Sequence, residues 1–306
     1  MSRLLHSHGG YLRSMQMSST ELFVFVEGKE SDPFFYAGVC RTVLGHALRY
    51  EVCIAEQMPG RSGGKQALLG FFCYLRRRRS LTSSLGGKRT AAIFFVDKDV
   101  DDLQRKRRRS DHVVYTEHYD VQNYIFLHGN LLMGAASAAS VDPACLSADL
   151  SDASSWCLRV AGLWRQWIAL CLFLMNEKIS CEANYGVTSP IQSRPSASTD
   201  DMLLRDITRR IARNAGIPVA KLRKDLEAFS VKVEKYFAKG LHHRVFKGKW
   251  FAVILADEID VAMTGRPYDR NGLARRLPSS IAATLSFSEP WCEYFRSAIQ
   301  RVSLEL

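Results

Sequence analysis

The chain has eight cysteines but no C-x-x-C pair, so a zinc finger or ribbon is not expected. The cysteines sit instead in apolar runs such as Phe72-Cys73-Tyr74 and Leu170-Cys171-Leu172, which read as reduced core thiols in a cytoplasmic setting. Long hydrophobic runs are also missing. The most apolar stretch, Trp164–Met175, carries Arg165 and falls short of the ~20 residues that span a bilayer. Met1–Ser19 has no continuous apolar core of signal-peptide length, so neither secretion nor a membrane anchor is expected. No internal repeat and no Ser/His/Asp arrangement stands out. Acidic residues are in short supply, 31 against 42 Lys and Arg, for a net charge of +11. That excess suits a polyanionic partner such as nucleic acid, or an acidic protein surface.

What is present is a globular composition, 47% hydrophobic and 24% charged. The 306 residues hold one large domain or two ordinary ones, at about 100–200 residues per domain. From Leu22 the pattern alternates. Leu22–Val26 (LFVFV) reads as a strand buried on both faces, and Ser31-Asp32-Pro33 as a helix start. Tyr50–Ala55 predicts a second strand, Gln66–Arg76 a second helix and Ser80–Gly87 a turn. Ala91–Val96 (AAIFFV) predicts a third strand, Asp99–Arg109 a short helix and His112–Thr116 a fourth strand. This βαβαβαβ order implies an α/β fold, a parallel sheet with helices on both faces.

In such sheets ligands bind beyond the carboxyl ends of the strands. Glu27 directly follows the first strand, Asp97 and Asp99 the third, and Glu117 and Asp120 the fourth. Clustered carboxylates repel one another, and a hard divalent cation such as Mg2+ or Mn2+ resolves that repulsion. Two such ions can stabilise the attacking and leaving oxygens of a phosphodiester displacement.

FVFVEGKESDPFFY and the later IFFVDKDVDD resemble a Toprim domain, whose pattern is Glu-Gly after one strand and D-x-D after another. Glu27-Gly28 and Asp97-Lys98-Asp99 match it, and the resemblance covers roughly residues 21–127. YTEHYDVQNYIF and FKGKW further resemble the Toprim-like DUF4435 group, related to the overcoming-lysogenization-defect nucleases. Some members are effectors of PARIS-type anti-phage defence. The resemblance implies an Mg2+- or Mn2+-dependent endonuclease, a toxic effector acting on RNA such as tRNA, or on DNA. It also implies an ABC-type ATPase partner that restrains or activates it, and leaves a homodimer open. The alternative is a catalytically inactive Toprim-like module that binds nucleic acid or a partner.

By that resemblance Asp97 and Asp99 are metal ligands, and Glu27 is a shared ligand or a general acid/base. Lys249, in Lys247-Gly248-Lys249, either stabilises the transition state or is a surface lysine. Two departures stand out. Ser31 occupies a place that related nucleases often give to an acid, and Asp32 follows it as a further ligand or as a helix cap. Gln122-Asn123-Tyr124 replaces Glu-Asn-Tyr, so either Glu117 or Asp120 supplies the missing charge or a second metal binds weakly. Gly60–Gln66 is glycine-rich but does not match a P-loop; its Lys65, with Arg107, Arg108 and Arg109, is a candidate phosphate contact.

After about residue 130 the β-formers thin out. Ser155–Met175 predicts a core helix, Gly186–Ser198 an exposed loop, and Asp200–Asn214 and Val219–Phe237 amphipathic helices. His242-His243 reads as a helix-end pair. The expected organisation is an arm at 1–20, a Toprim-like catalytic domain at 21–130 and a helical domain at 131–306.

Overall fold

The computed structural model describes residues 7–58, 64–101 and 107–306. They form a five-stranded, mostly parallel sheet and twelve α-helices, an α/β fold. The chain divides into two compact units, one of residues 1–117 with 286–306 and one of residues 118–285. These bounds differ from the expected 130/131 boundary and from a helical region running to 306. The C-terminal segment belongs with the sheet, because Phe295 packs on Phe95 and Tyr36 there.

In the first unit the strands are β1 (Leu22–Val26), β2 (Tyr50–Ile54), β3 (Thr82–Leu85), β4 (Lys88–Val96) and β5 (Val113–Tyr115). β1 lies between β2 and β4, parallel to both. The end of β4 pairs in parallel with β5, and its beginning pairs antiparallel with β3. Every β1 residue is buried, as an unbroken run of β-formers requires when both faces are covered. On one face Phe25 and Phe94 stack at 4.7 Å under Phe71 and Phe72 of α3 (Lys65–Arg77), with Met15 of α1 (His8–Met17) in the same core. On the other face Tyr36 of α2 (Asp32–Leu44) stacks on Phe95 at 4.2 Å, beside Phe295 of the helix Glu293–Ser303.

The expected turn at Ser80–Gly87 is instead a hairpin. Gly86 and Gly87 both have positive φ, 59° and 81°, as a tight two-residue turn demands, and β3 leads into it. TSSL carries too little hydrophobic signal to reveal an edge strand. Of the helix expected at Asp99–Arg109, residues 102–106 lie outside the described residues, and 107–109 are not helical. Residues 59–63 of the glycine-rich segment also lie outside them.

Among its described residues the second unit has helices and no strand, only an isolated bridge between Gln192 and Thr199. The single helix expected at Ser155–Met175 is two, Ala153–Leu163 and Arg165–Asn176, bent by 61°. Trp164 sits at the break, fully buried, with its indole N–H donating to Pro195 O at 2.8 Å. Gln192 reaches back to the carbonyl of Leu163, at 3.0 Å, so the interruption leaves that acceptor satisfied. The loop around it is less exposed than its Pro/Ser-rich composition suggests, since Ile191 and Gln192 are buried. The helix Asp201–Ala215 is capped by Asp200, which accepts from Met202 N and Leu203 N, and stopped by Gly216. His242-His243 opens a short 3-10 turn and does not end a helix. No single helix among the described residues is long and apolar enough to cross a membrane.

Candidate active site

β1 and β4 run side by side with Val26 level with Phe95. Continuing that register sets Glu27 beside Val96 and brings Asp97 to the same sheet edge. The N–H of Asp97 donates a hydrogen bond to the Glu27 carboxylate. The loop beyond β4 turns sharply: Asp99 takes a left-handed conformation, φ 48°, and Lys98 is buried with its N–H on Thr116 Oγ1 at 2.8 Å. Thr116 follows β5 and is itself tied to Val96 O, so the strand end fixes the D-x-D loop.

The Glu-Gly motif has a steric basis. Gly28 N–H donates to Asp32 Oδ2 at 2.7 Å, and a Cβ at residue 28 would lie 2.7 Å from Asp32 Oδ1. Asp32, buried at the start of α2, therefore folds back onto the loop and does not act as the cap residue, which is Ser31. It lies near enough to Glu27 to act on its charge.

Glu27 is the focus of this edge. Burial, then the charge of Asp99, push its carboxyl up to about 7; Lys65, Asp32 and the Asp97 amide act less. Its Oε2 is buried and meets no hydrogen-bond partner among the described residues. Gly64, at the start of α3, lies against it: a Cβ there would sit 3.8 Å from Glu27 Oε1. The glycine-rich loop after β2 thus ends at the acidic edge.

Lys65 is placed on the acids. Its ammonium pairs with Asp99 and, at 3.1 Å, with Asp101. Burial disfavours its charge, but Asp99, Glu27 and Asp101 outweigh burial and push it up to about 12. Its ammonium is thus engaged by two carboxylates of the acidic edge. Asp101 is a member of this cluster that the sequence reading passed over. The alternation Asp97, Asp99, Asp101 was its available signal.

Glu117 is exposed, and its charge is felt by Tyr294. Arg107, Arg108 and Arg109 line a cavity of about 520 Å3 with Asp101, Tyr115 and Tyr294.

Asp120, Gln122 and Lys249 belong to the second unit. Asp120 caps the helix Val121–His128 reciprocally with Asn123, and its other oxygen accepts from Gly248 N at 3.1 Å. Asn123 Nδ2 donates to Phe246 O at 3.1 Å. The YDVQNY and FKGK segments are therefore one buried joint, with Asp120 as its acceptor. Gln122 is buried with its Oε1 lacking a partner among the described residues, and Lys249 is exposed at the first turn of the helix Lys249–Ala262.

The oxygen donors of Glu27, Asp97, Asp99 and Asp101 have the chemistry of a hard-cation site, and Glu27 Oε2 is an orphaned acceptor inside it. Among the described residues no three His, Cys, Asp or Glu side chains already stand in a ligating arrangement. The Lys65 ammonium supplies positive charge to Asp99 and Asp101. No protein-family model and no curated protein matches the chain.

Proposed function

We propose that this acidic edge is the metal-dependent phosphodiesterase site of a Toprim-type endonuclease. The observation that carries the reading is Glu27: a half-buried carboxylate with one buried oxygen orphaned among the described residues, beside Asp99, where two adjacent parallel strands end. Glu27, Asp97 and Asp99 would hold Mg2+ or Mn2+, with Asp101 and Asp32 adjacent. The cation would polarise a phosphoryl oxygen and lower the pKa of water. The protein's own part is positional. Asp32 and Gly28 hold the loop that presents Glu27, and Thr116 holds the loop that presents Asp97 and Asp99. Lys65 keeps the acids together and offers a positive charge where a phosphoryl group develops negative charge.

The family resemblance extends the proposal to a toxic anti-phage effector that cuts tRNA or DNA under the control of an ABC-type ATPase. A second reading has its own support. Lys65 already neutralises Asp99 and Asp101, as a module that binds nucleic acid without a metal would require. The two readings separate when purified protein is incubated with tRNA and with plasmid DNA in Mg2+, Mn2+ or EDTA. Cleavage in either metal that EDTA abolishes supports the nuclease. Binding without cleavage under every condition, including with the operon partner triggered, supports the module.

A further inference from the structure

The cavity beside the acidic edge differs from an ordinary basic patch. Among the described residues its lining comprises three consecutive arginines, two tyrosine rings, Val113 and Asp101. Its volume of about 520 Å3 falls in the ~300–1,000 Å3 range of small-ligand sites. Tyr294, from the C-terminal helix, is 40% exposed. It is nevertheless fixed: its hydroxyl donates to Tyr115 O at 2.8 Å, and its ring packs edge-on against buried Phe295 at 5.4 Å. A ring held by its hydroxyl and by a neighbouring aromatic, and still two-fifths exposed, leaves aromatic surface available to a partner at little entropic cost.

The arginines are positioned too. The guanidinium of Arg107 lies 5.2 Å from the Tyr115 ring centre, and the Arg108 N–H donates to the Tyr115 hydroxyl at 3.1 Å. The Arg108 side chain reaches Cys73 Sγ at 3.1 Å, and neither Arg108 nor Arg109 pairs with a carboxylate among the described residues. Asp101, on the cavity wall, is the same carboxylate that Lys65 joins to Asp99. Cavity and acidic edge are therefore contiguous.

We infer that this cavity seats one unpaired nucleotide of a single-stranded RNA or DNA, its base on Tyr294 and its flanking phosphates on Arg107–Arg109. The choice of a single strand follows from the chemistry. A phosphate ion has no use for a ring face, and a duplex keeps its base faces stacked internally. A single strand offers both base faces and successive phosphates, the pairing that strand-binding grooves use. This deepens the nuclease reading, on which it rests for why a strand passes the acidic edge, by naming an unpaired strand as substrate class.

The test is fluorescence anisotropy of the full chain in EDTA, with a 12-nucleotide single strand, a matching duplex and a free mononucleotide as competitor. Tyr294→Ala should weaken single-strand binding about tenfold and change duplex binding less than about twofold. Tyr294→Phe and Tyr294→Trp, which keep a ring, should stay within about threefold of wild type. The double variant R107A/R109A should flatten the salt dependence by about 1.4 in log–log slope, two single-strand phosphates' worth. Mononucleotide should compete far more weakly than the oligomer.

Unchanged single-strand affinity in a folded Tyr294→Ala protein would overturn the inference. So would equal losses for strand and duplex, or a mononucleotide that binds as tightly as the oligomer. If Tyr294→Ala fails to fold, the Phe and Trp variants decide: a loss of more than tenfold in both, despite wild-type melting temperatures, contradicts a stacking role. Ring-dependent strand binding by a protein that never cleaves would sink the nuclease reading alone. Metal-dependent cleavage with ring-independent binding would sink this one alone.

Discussion

The amide of Gly28 donates to the carboxylate of Asp32 at 2.7 Å, and the approach is so close that a Cβ at residue 28 would displace that carboxylate. Gly28→Ala must push the Asp32 carboxylate away or shift the loop that carries Glu27. The expected cost is about 1–3 kcal/mol of stability, from a clash and a disturbed buried hydrogen bond. Chemical denaturation of the variant checks this. Asp32→Asn, which keeps an oxygen acceptor, should cost less than Asp32→Ala.

On the proposed reading, Lys65 and a divalent cation would be alternative sources of positive charge for the same acids. Lys65→Met leaves Asp99 and Asp101 without their ammonium partner, and should destabilise the metal-free protein by about 1–3 kcal/mol. Millimolar Mn2+ should then raise the melting temperature of the variant more than that of wild type. Equal metal-induced shifts in the two proteins would show that Lys65 and the cation do not share a site.

The joint between Asp120 and Gly248 is a structural prediction of a different kind. A Cβ at residue 248 would lie 2.2 Å from Asp120 Oδ1 and 2.5 Å from Asn123 N. Gly248→Ala should destabilise the second unit by about 2–4 kcal/mol, since backbone as well as side chain stands in the way. Asp120→Ala should cost about 2 kcal/mol through the lost helix cap and the stranded Gly248 N–H. Differential denaturation with a tryptophan readout follows both, because Trp156, Trp164 and Trp167 are in that unit.

Acid sensitivity should come in part from two histidines. Burial pushes His242 and His128 down to about 4, whereas an unfolded histidine titrates near ~6.5. Between those values the unfolded chain holds more protons. The stability these two histidines contribute is therefore full above about pH 6.5 and declines as the pH falls toward 4. Neither ring nitrogen of His242 has a hydrogen-bond partner among the described residues, so nothing there favours its charged form. His242→Leu should remove about 1–3 kcal/mol of the stability lost between pH 7 and pH 4.5. An unchanged pH slope in that variant would assign the sensitivity elsewhere.

The sheet was legible because LFVFV and AAIFFV are apolar runs buried on both faces, and the acids follow them directly. β3 was not, because Thr82, Ser83 and Ser84 form an edge strand from pairing and a glycine turn, without a hydrophobic pattern. Glu27, Asp97 and Asp99 could be placed at one edge from strand order alone. That Lys65 closes on Asp99 and Asp101 depends on where α3 begins in space, 34 and 36 residues away along the chain. Tyr294 meets Tyr115 across 179 residues, and no local pattern announces it. Trp164 broke the expected long helix because its indole has a carbonyl partner in a loop, a tertiary bond that helical periodicity does not encode.

The most direct measurement is the cleavage rate of Glu27→Gln against wild type on the same substrate in Mg2+, with both proteins matched for melting temperature. The substitution keeps the size of the side chain and removes its charge. If Glu27 is the centre of a metal-dependent phosphodiesterase, the rate falls at least a hundredfold, about 2.7 kcal/mol or more of lost transition-state stabilisation. A Glu27→Gln protein that cuts as fast as wild type would contradict the assignment of this edge as the active site.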